Sequence, residues 1–146
     1  MNLYRQQRNR QQDKINTFLK NYAFFAFDPE QYRQGLQKFG LAEADAAGRL
    51  APISGGGYLL REHESELTSL LQSFNQERQD AINDPETGLQ FSIDMFYTAL
   101  IDYEYSYTQD AGEALEALRI TPEEIEGSPV LQTALNIAKQ KAGGTE

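Results

Sequence analysis

The chain contains no cysteine. That absence excludes disulfides, thiolate metal sites and a cysteine nucleophile. Histidine is nearly absent too: His63 stands alone, which excludes a multi-histidine metal site built by one chain. No apolar run approaches the roughly 20 residues that a membrane span requires. The N-terminal stretch is basic, but no apolar segment or small-residue cleavage site follows it, so a secretory signal is not expected. Basic residues are in the minority, with 13 Lys and Arg against 22 Asp and Glu and a formal net charge of -9 over 146 residues. An overall basic nucleic-acid binder is therefore disfavoured. Hydrophobic residues make up 40% of the chain, enough at this length for a genuine core. These bounds predict an acidic, membrane-free domain working in the cytoplasm.

What the chain does have is an uneven charge map. Residues 1–20 carry Arg5, Arg8, Arg10, Lys14 and Lys20 against a single acid, Asp13. Residues 80–126 carry twelve acids against Arg119, a balance of -11. A basic arm joined to an acidic body predicts either charged partners or the docking of one end on the other. Solubility is the plainer use of such acids, and a solvated first helix the plainer form of such an arm.

Apolar spacing organises the rest. Ile15, Phe18, Leu19 and Tyr22 predict a helix over 2–22, whose polar portion from Arg5 to Gln12 projects or frays. Ala23–Phe27 predicts a buried strand, and Asp28-Pro29 a helix start that runs to Gly40. Gly55, Gly56 and Gly57 predict a hairpin between strands at 50–54 and 58–61, with Pro52 keeping its strand at an edge. A helix follows over 64–83. The next has Leu89, Ile93, Phe96, Leu100, Tyr103 and Tyr107 at alternating spacings of four and three, which predicts a core wall. Thr108–Asp110 caps a short helix, Thr121 and Glu124 form a capping box, and Ser128-Pro129 opens the last helix. The expected fold class is α+β, a predominantly helical single domain with a small two- or three-stranded antiparallel sheet. Residues 1–14 form a basic polar arm or helix extension, 15–141 the globular domain and 142–146 a disordered tail.

Few constellations carry chemistry. His63 lies among Glu62, Glu64 and Glu66, a set able to bind a divalent metal or orient a general base. A zinc-protease helix needs a second histidine four residues on, where Leu67 stands, and the glutamates also suit a helix N-terminus. The glycine triplet lacks the Gly-Lys-Ser/Thr of a phosphate loop. The nucleophile-elbow pattern is absent, and a Ser54–His63 pair across the hairpin, though geometrically conceivable, is not expected. Asp94 and Asp102, two turns apart, could share a face; paired carboxylates can hold magnesium, but no diagnostic spacing supports that here and a solvated acidic face is the favoured reading. Among the tyrosines, Tyr103 and Tyr107 are expected in the core. Tyr97 and Tyr105 are expected on the surface, where tyrosine favours protein recognition.

Three segments carry a family resemblance. They are Phe24–Tyr32 with Gly35–Leu41, Gly56-Gly57-Tyr58, and Tyr103–Thr108 with Asp110, Ala114–Leu118 and Ile120-Thr121. Over roughly residues 18–126 the chain resembles a family of small uncharacterised domains from phages and other mobile elements of gut-type bacteria. The resemblance implies a context rather than an activity, since that family has none assigned. Its members tend to place a histidine before the glutamate that corresponds to Glu104. Here that position is Tyr103, which weakens an enzyme reading and leaves Glu104 and Asp110 as caps or contact residues.

The resulting expectation is a non-enzymatic protein-binding factor without catalytic residues, metal or cofactor. Its contact residues are Asp94, Tyr97, Asp102, Glu104, Tyr105, Asp110 and Glu113, and its basic arm is marked by Arg5, Arg8 and Arg10. The expected partner is a basic protein such as a host nucleic-acid enzyme, as in anti-CRISPR or anti-restriction inhibition. Two alternatives stand beside it. One is a small metal-dependent enzyme using His63 with Glu62, with Glu64, or with Asp94 and Asp102. The other is a homodimer in which the arm of one copy lies on the acidic body of the next. Direct nucleic-acid binding is expected only weakly, through the arm.

Overall fold

Three strands and nine α-helices are described over residues 1–143 of the computed structural model. They fall into two compact units, Gln11–Asn75 and Met1–Arg10 together with the chain from Gln76 onward. Two helices, α1 (Leu3–Tyr22) and α4 (Glu64–Ile82), contribute residues to both units. The class is the expected one, mostly helical α+β with a small antiparallel sheet.

All three strands lie in the unit Gln11–Asn75. β1 (Ala23–Phe25), β2 (Leu50–Ile53) and β3 (Gly57–Leu60) pair antiparallel in the order β1-β3-β2. Pro52 therefore sits on an edge strand, where its missing amide costs no ladder bond. Gly55 and Gly56 close the hairpin at φ +82, a region that side chains with a Cβ rarely adopt. β1 ends two residues before the expected Phe27, because Asp28 already caps α2 (Pro29–Lys38), its carboxylate accepting from Gln31 N at 2.8 Å. Lys38 covers the outer edge of β1, its Nζ donating to Lys20 O at 2.6 Å and Ala23 O at 2.9 Å.

Strand alternation sends Phe24, Leu50 and Leu60 to one face, against Leu36 of α2 and Ala46 of α3 (Glu43–Arg49). Gly35 leaves room for the Phe24 ring, which a Cβ at that position would overlap. Residues 61–63 form a single 3-10 turn leading into α4.

In the other unit α5 (Gly88–Asp102) is the central element. Phe91, Ser92, Ile93, Met95, Phe96, Ala99 and Leu100 are all buried, so the helix is covered on most of its circumference. It packs chiefly on α9 (Pro129–Ala142) and then on α7 (Gly112–Leu118). Ala134 and Ala138 of α9 are fully buried at this contact, where small side chains let the two helices approach closely. α8 (Pro122–Glu126) carries the expected capping box, with the Thr121 hydroxyl accepting from Glu124 N and Glu124 reaching back to Thr121 N. Ser128 caps α9, accepting from Leu131 N at 3.2 Å.

Two expectations about the ends of the chain are corrected. The polar arm does not project. Leu3 and Tyr4 pack on the helical core, the Tyr4 ring meets Phe91 edge-on at 5.9 Å, and Gln7 is buried with its amide donating to Glu77 O at 3.2 Å. In the strand-bearing unit, Gln11 does the same to Phe74 O at 3.4 Å. Each buried glutamine is tolerated because its donor finds a carbonyl. At the other end, Ala142 is a buried residue of α9 and Gly143 its cap, so the expected tail does not begin at 142. Residues 144–146 of that tail lie outside the described residues.

Candidate functional site

The stripe that predicts a core wall fails at both ends: Leu89 is exposed at the start of α5, and the pattern breaks again where α5 ends. Ile93, Phe96 and Leu100 are buried as expected, but the helix stops at Asp102 and Glu104 takes a left-handed conformation, φ 55 and ψ 40. A four-residue helix, α6 (Tyr105–Thr108), follows and is closed by a second left-handed residue, Gln109, at φ 57. The change of direction at Glu104 inverts the expected burial of the tyrosines. Tyr105 turns inward and is buried, whereas Tyr107 is 86% exposed and Tyr103 41% exposed. The expectation of Tyr105 on the surface and Tyr103 and Tyr107 in the core is therefore corrected. Tyr97 is half-buried against the core with Lys141 Nζ 5.7 Å from its ring centroid.

The acids of this region divide sharply. Asp94 is only 7% exposed and is no surface residue. Its Oδ2 accepts from Leu3 N at 2.8 Å and its Oδ1 from Gln90 Nε2 at 2.8 Å. A carboxylate at the first free amide of α1 meets the positive end of that helix, and Asn2 completes the cap by accepting from Arg5 N at 2.8 Å. Asn2 Nδ2 also donates to Thr98 Oγ1 at 3.1 Å. The start of α1 thus docks on α5 within a single copy, and Asp94 is the clamp. Asp94 and Asp102 share no accessible face.

Asp102, Glu104, Asp110 and Glu113 are exposed, and no ion pair among the described residues involves them. Asp110 orders the chain after α6, with its Oδ1 accepting from Gly112 N at 2.8 Å and its amide donating to Thr108 Oγ1 at 3.1 Å. Residues 101–113 are therefore a knuckle carrying free carboxylates, the exposed rings of Tyr103 and Tyr107, and the half-exposed side chain of Ile101. Two of its residues hold a backbone conformation that costs a side chain with a Cβ roughly 1 kcal/mol or more. Replacing Glu104 with glycine is expected to raise stability by about 0.5–1 kcal/mol in denaturant unfolding, because it relieves that strain while removing no hydrogen bond made by the side chain.

The other candidate residues are placed apart from one another. His63 Nδ1 lies 2.9 Å from Glu66 Oε1, and its ring stacks on Tyr22 at 3.8 Å between centroids. Glu62 pairs with Arg49 at 3.2 Å and Glu64 with Arg61 at 3.7 Å, so each neighbouring carboxylate has a separate partner. Among the described residues no three of His, Asp and Glu converge to hold a metal ion. Ser54 makes no hydrogen bond to His63 and instead lines an apolar groove with Ile15, Leu19, Phe25, Ile53 and Leu67. Arg5, Arg8 and Arg10 are exposed along α1, without an ion pair among the described residues.

The profile of one protein family matches residues 3–141, almost the whole chain. The chain belongs to DUF7659, a family of unknown function. No curated protein and no solved structure matches it. The DUF7659 match takes in the N-terminal arm and the last helix, both of which fell outside the resemblance over 18–126. That extent agrees with the packing of this DUF7659 chain, in which Leu3 is bonded to Asp94 and α9 is the main cover of α5. No helix among its described residues is long and apolar enough to cross a membrane.

Proposed function

We propose that this chain is a non-enzymatic protein-binding factor that presents the knuckle of residues 101–113 to a basic protein. The observation that carries this is Tyr107, 86% exposed in a segment whose carboxylates form no ion pair among the described residues. Tyrosine is enriched where interfaces concentrate their binding energy, because it offers a large apolar face and a polar tip. Unpaired acids around it raise the rate of encounter with a basic surface and select against acidic ones. Asp102, Glu104, Asp110 and Glu113 supply the charge. Tyr103 and Tyr107 supply the anchors that Tyr97 and Tyr105 are too buried to provide.

The partner of this reading is a nucleic-acid enzyme of the host cytoplasm, met by a protein of phage or other mobile-element origin. A surface of carboxylates satisfies the lysines and arginines that otherwise hold phosphates, which is the logic of anti-CRISPR or anti-restriction inhibition. Affinity capture from host lysate tests it with the wild-type chain and with Asp102→Lys/Glu104→Lys/Asp110→Lys. A basic protein is expected to be retained at low ionic strength, weakened at moderate salt and lost with the triple variant. Retention indifferent to both salt and charge reversal would overturn the proposal.

A further inference from the structure

The approach from β1 to α2 builds a second feature, independent of the knuckle. Ala26, Phe27, Asp28, Pro29, Tyr32 and Tyr58 line an open cleft of about 410 Å³. The rings of Tyr32 and Tyr58 meet edge to face, 5.2 Å apart at 67°, and so make two walls of a corner. Phe24 backs both rings, at 5.9 Å from Tyr32 and 5.4 Å from Tyr58, and is itself buried in the core. The corner is therefore rigid. Phe27 adds a third ring, 76% exposed, on a backbone held by Gln31 Oε1, which accepts from Phe27 N at 2.7 Å. A phenylalanine this exposed contributes little to the core.

Charge narrows what such a cleft holds. Among the described residues Asp28 is the only carboxylate that lines it, and of its oxygens only Oδ1 is engaged there, as the cap of α2. Asp28 answers the positive end of α2, as a capping carboxylate does. Pro29 has no amide hydrogen, Gln31 N is bonded to the Asp28 side chain, and Tyr32 N is bonded to Asp28 O at 3.1 Å. The nearby Arg33 pairs with Glu30 at 2.7 Å, and its attraction to Asp28 is the weaker one. The cleft thus combines three aromatic rings with one carboxylate, whose Oδ2 accepts no hydrogen bond among the described residues. Aromatic faces attract cations through the ring quadrupole, and a methylated ammonium gains most because it gives up little hydration. We infer that this cleft binds a methylated ammonium group, with Tyr32, Tyr58 and Phe27 around the methyls and Asp28 as counter-charge.

Choline tests this directly, with ring signals followed by NMR and its uncharged carbon isostere, 3,3-dimethylbutan-1-ol, as the control. Choline is expected to shift the Tyr32, Tyr58 and Phe27 signals saturably, and the isostere to bind about tenfold more weakly. Phe27→Ala is expected to weaken choline binding about fivefold. Asp28→Asn, which keeps the cap and removes the charge, is expected to have a similar effect. Nα-acetyl-trimethyllysine amide must bind as well, and the tighter of the two ligands distinguishes a protein source from a small-molecule source. Unmoved ring signals over the titration would overturn the inference, as would equal binding of choline and its isostere.

Discussion

Replacing Gly88 with alanine is expected to lower the unfolding free energy by about 3 kcal/mol. Two effects oppose each other at this position. Gly88 is the first residue of α5, where alanine improves helix propensity by about 1 kcal/mol. A Cβ there, however, runs into the backbone carbonyl of Ile82, the last residue of α4. That oxygen belongs to main chain and has no rotamer through which to yield. The intervening turn is also fixed: Asp84 Oδ1 accepts from Glu86 N at 2.8 Å and Thr87 N at 2.9 Å, and Gly88 N donates to Asp84 O at 2.9 Å. The Thr87 and Glu86 amides hold the Asp84 carboxyl below the usual carboxylate range, a sign that it is engaged in the turn as an anion. The clash is therefore expected to win over propensity. Gly48→Ala in α3, where a Cβ meets open space, is the control and is expected to stabilise by about 0.5–1 kcal/mol. Urea unfolding of the two variants checks the pair. A Gly88→Ala protein as stable as wild type would show that the turn between α4 and α5 is not held as described.

The second large effect is expected at Asp94. Asp94→Ala leaves Leu3 N and Gln90 Nε2 without their acceptor, in a site from which water is largely excluded. Hydrogen bonds to a charged group contribute roughly 1.5–3 kcal/mol, so a loss of about 3 kcal/mol is expected. Asp94→Asn keeps one acceptor oxygen without the charge and is expected to fall between the alanine variant and wild type. The damage has an address: amide hydrogen exchange should accelerate over the first turns of α1, at Leu3 to Gln7, ahead of α9. Asp102→Ala, on the same helix but exposed, is expected to change stability by less than about 0.5 kcal/mol. Equal effects at Asp94 and Asp102 would contradict the assignment of one as an internal clamp and the other as free surface.

Much of the architecture is legible in local chemistry. Asp28-Pro29, Thr121 with Glu124, and Ser128-Pro129 open helices where their capping side chains predict, and Pro52 lies on an edge strand. These signals act over three or four residues, and nothing distant competes with them. The knuckle is less legible because a periodic stripe presumes an unbroken helix. Tyr103 and Tyr107 continue the spacing of Phe96 and Leu100, and neither proline nor glycine marks the break. The stop is a glutamate in a left-handed conformation, which residue type does not announce. Asp94 is illegible for a different reason. A carboxylate is expected in water unless its partner is known, and its partner is a backbone amide 91 residues away. The same holds for Gln7 and Gln11, whose burial depends on carbonyls supplied by α4. The uneven charge map does not account for this contact: it is made by the Leu3 amide, while Arg5, Arg8 and Arg10 form no ion pair among the described residues.

Residues 101–113 are proposed to meet a partner through Tyr107. Site-specific photocrosslinking tests it most directly, with a benzophenone amino acid placed at Tyr107 and, for comparison, at the exposed Asn136 of α9. In host cells the position-107 chain is expected to form a discrete crosslink to a basic protein, a crosslink lost when Asp102, Glu104 and Asp110 are reversed in charge, while the position-136 chain forms none. No discrete crosslink at 107, or the same crosslink from both positions, would contradict it.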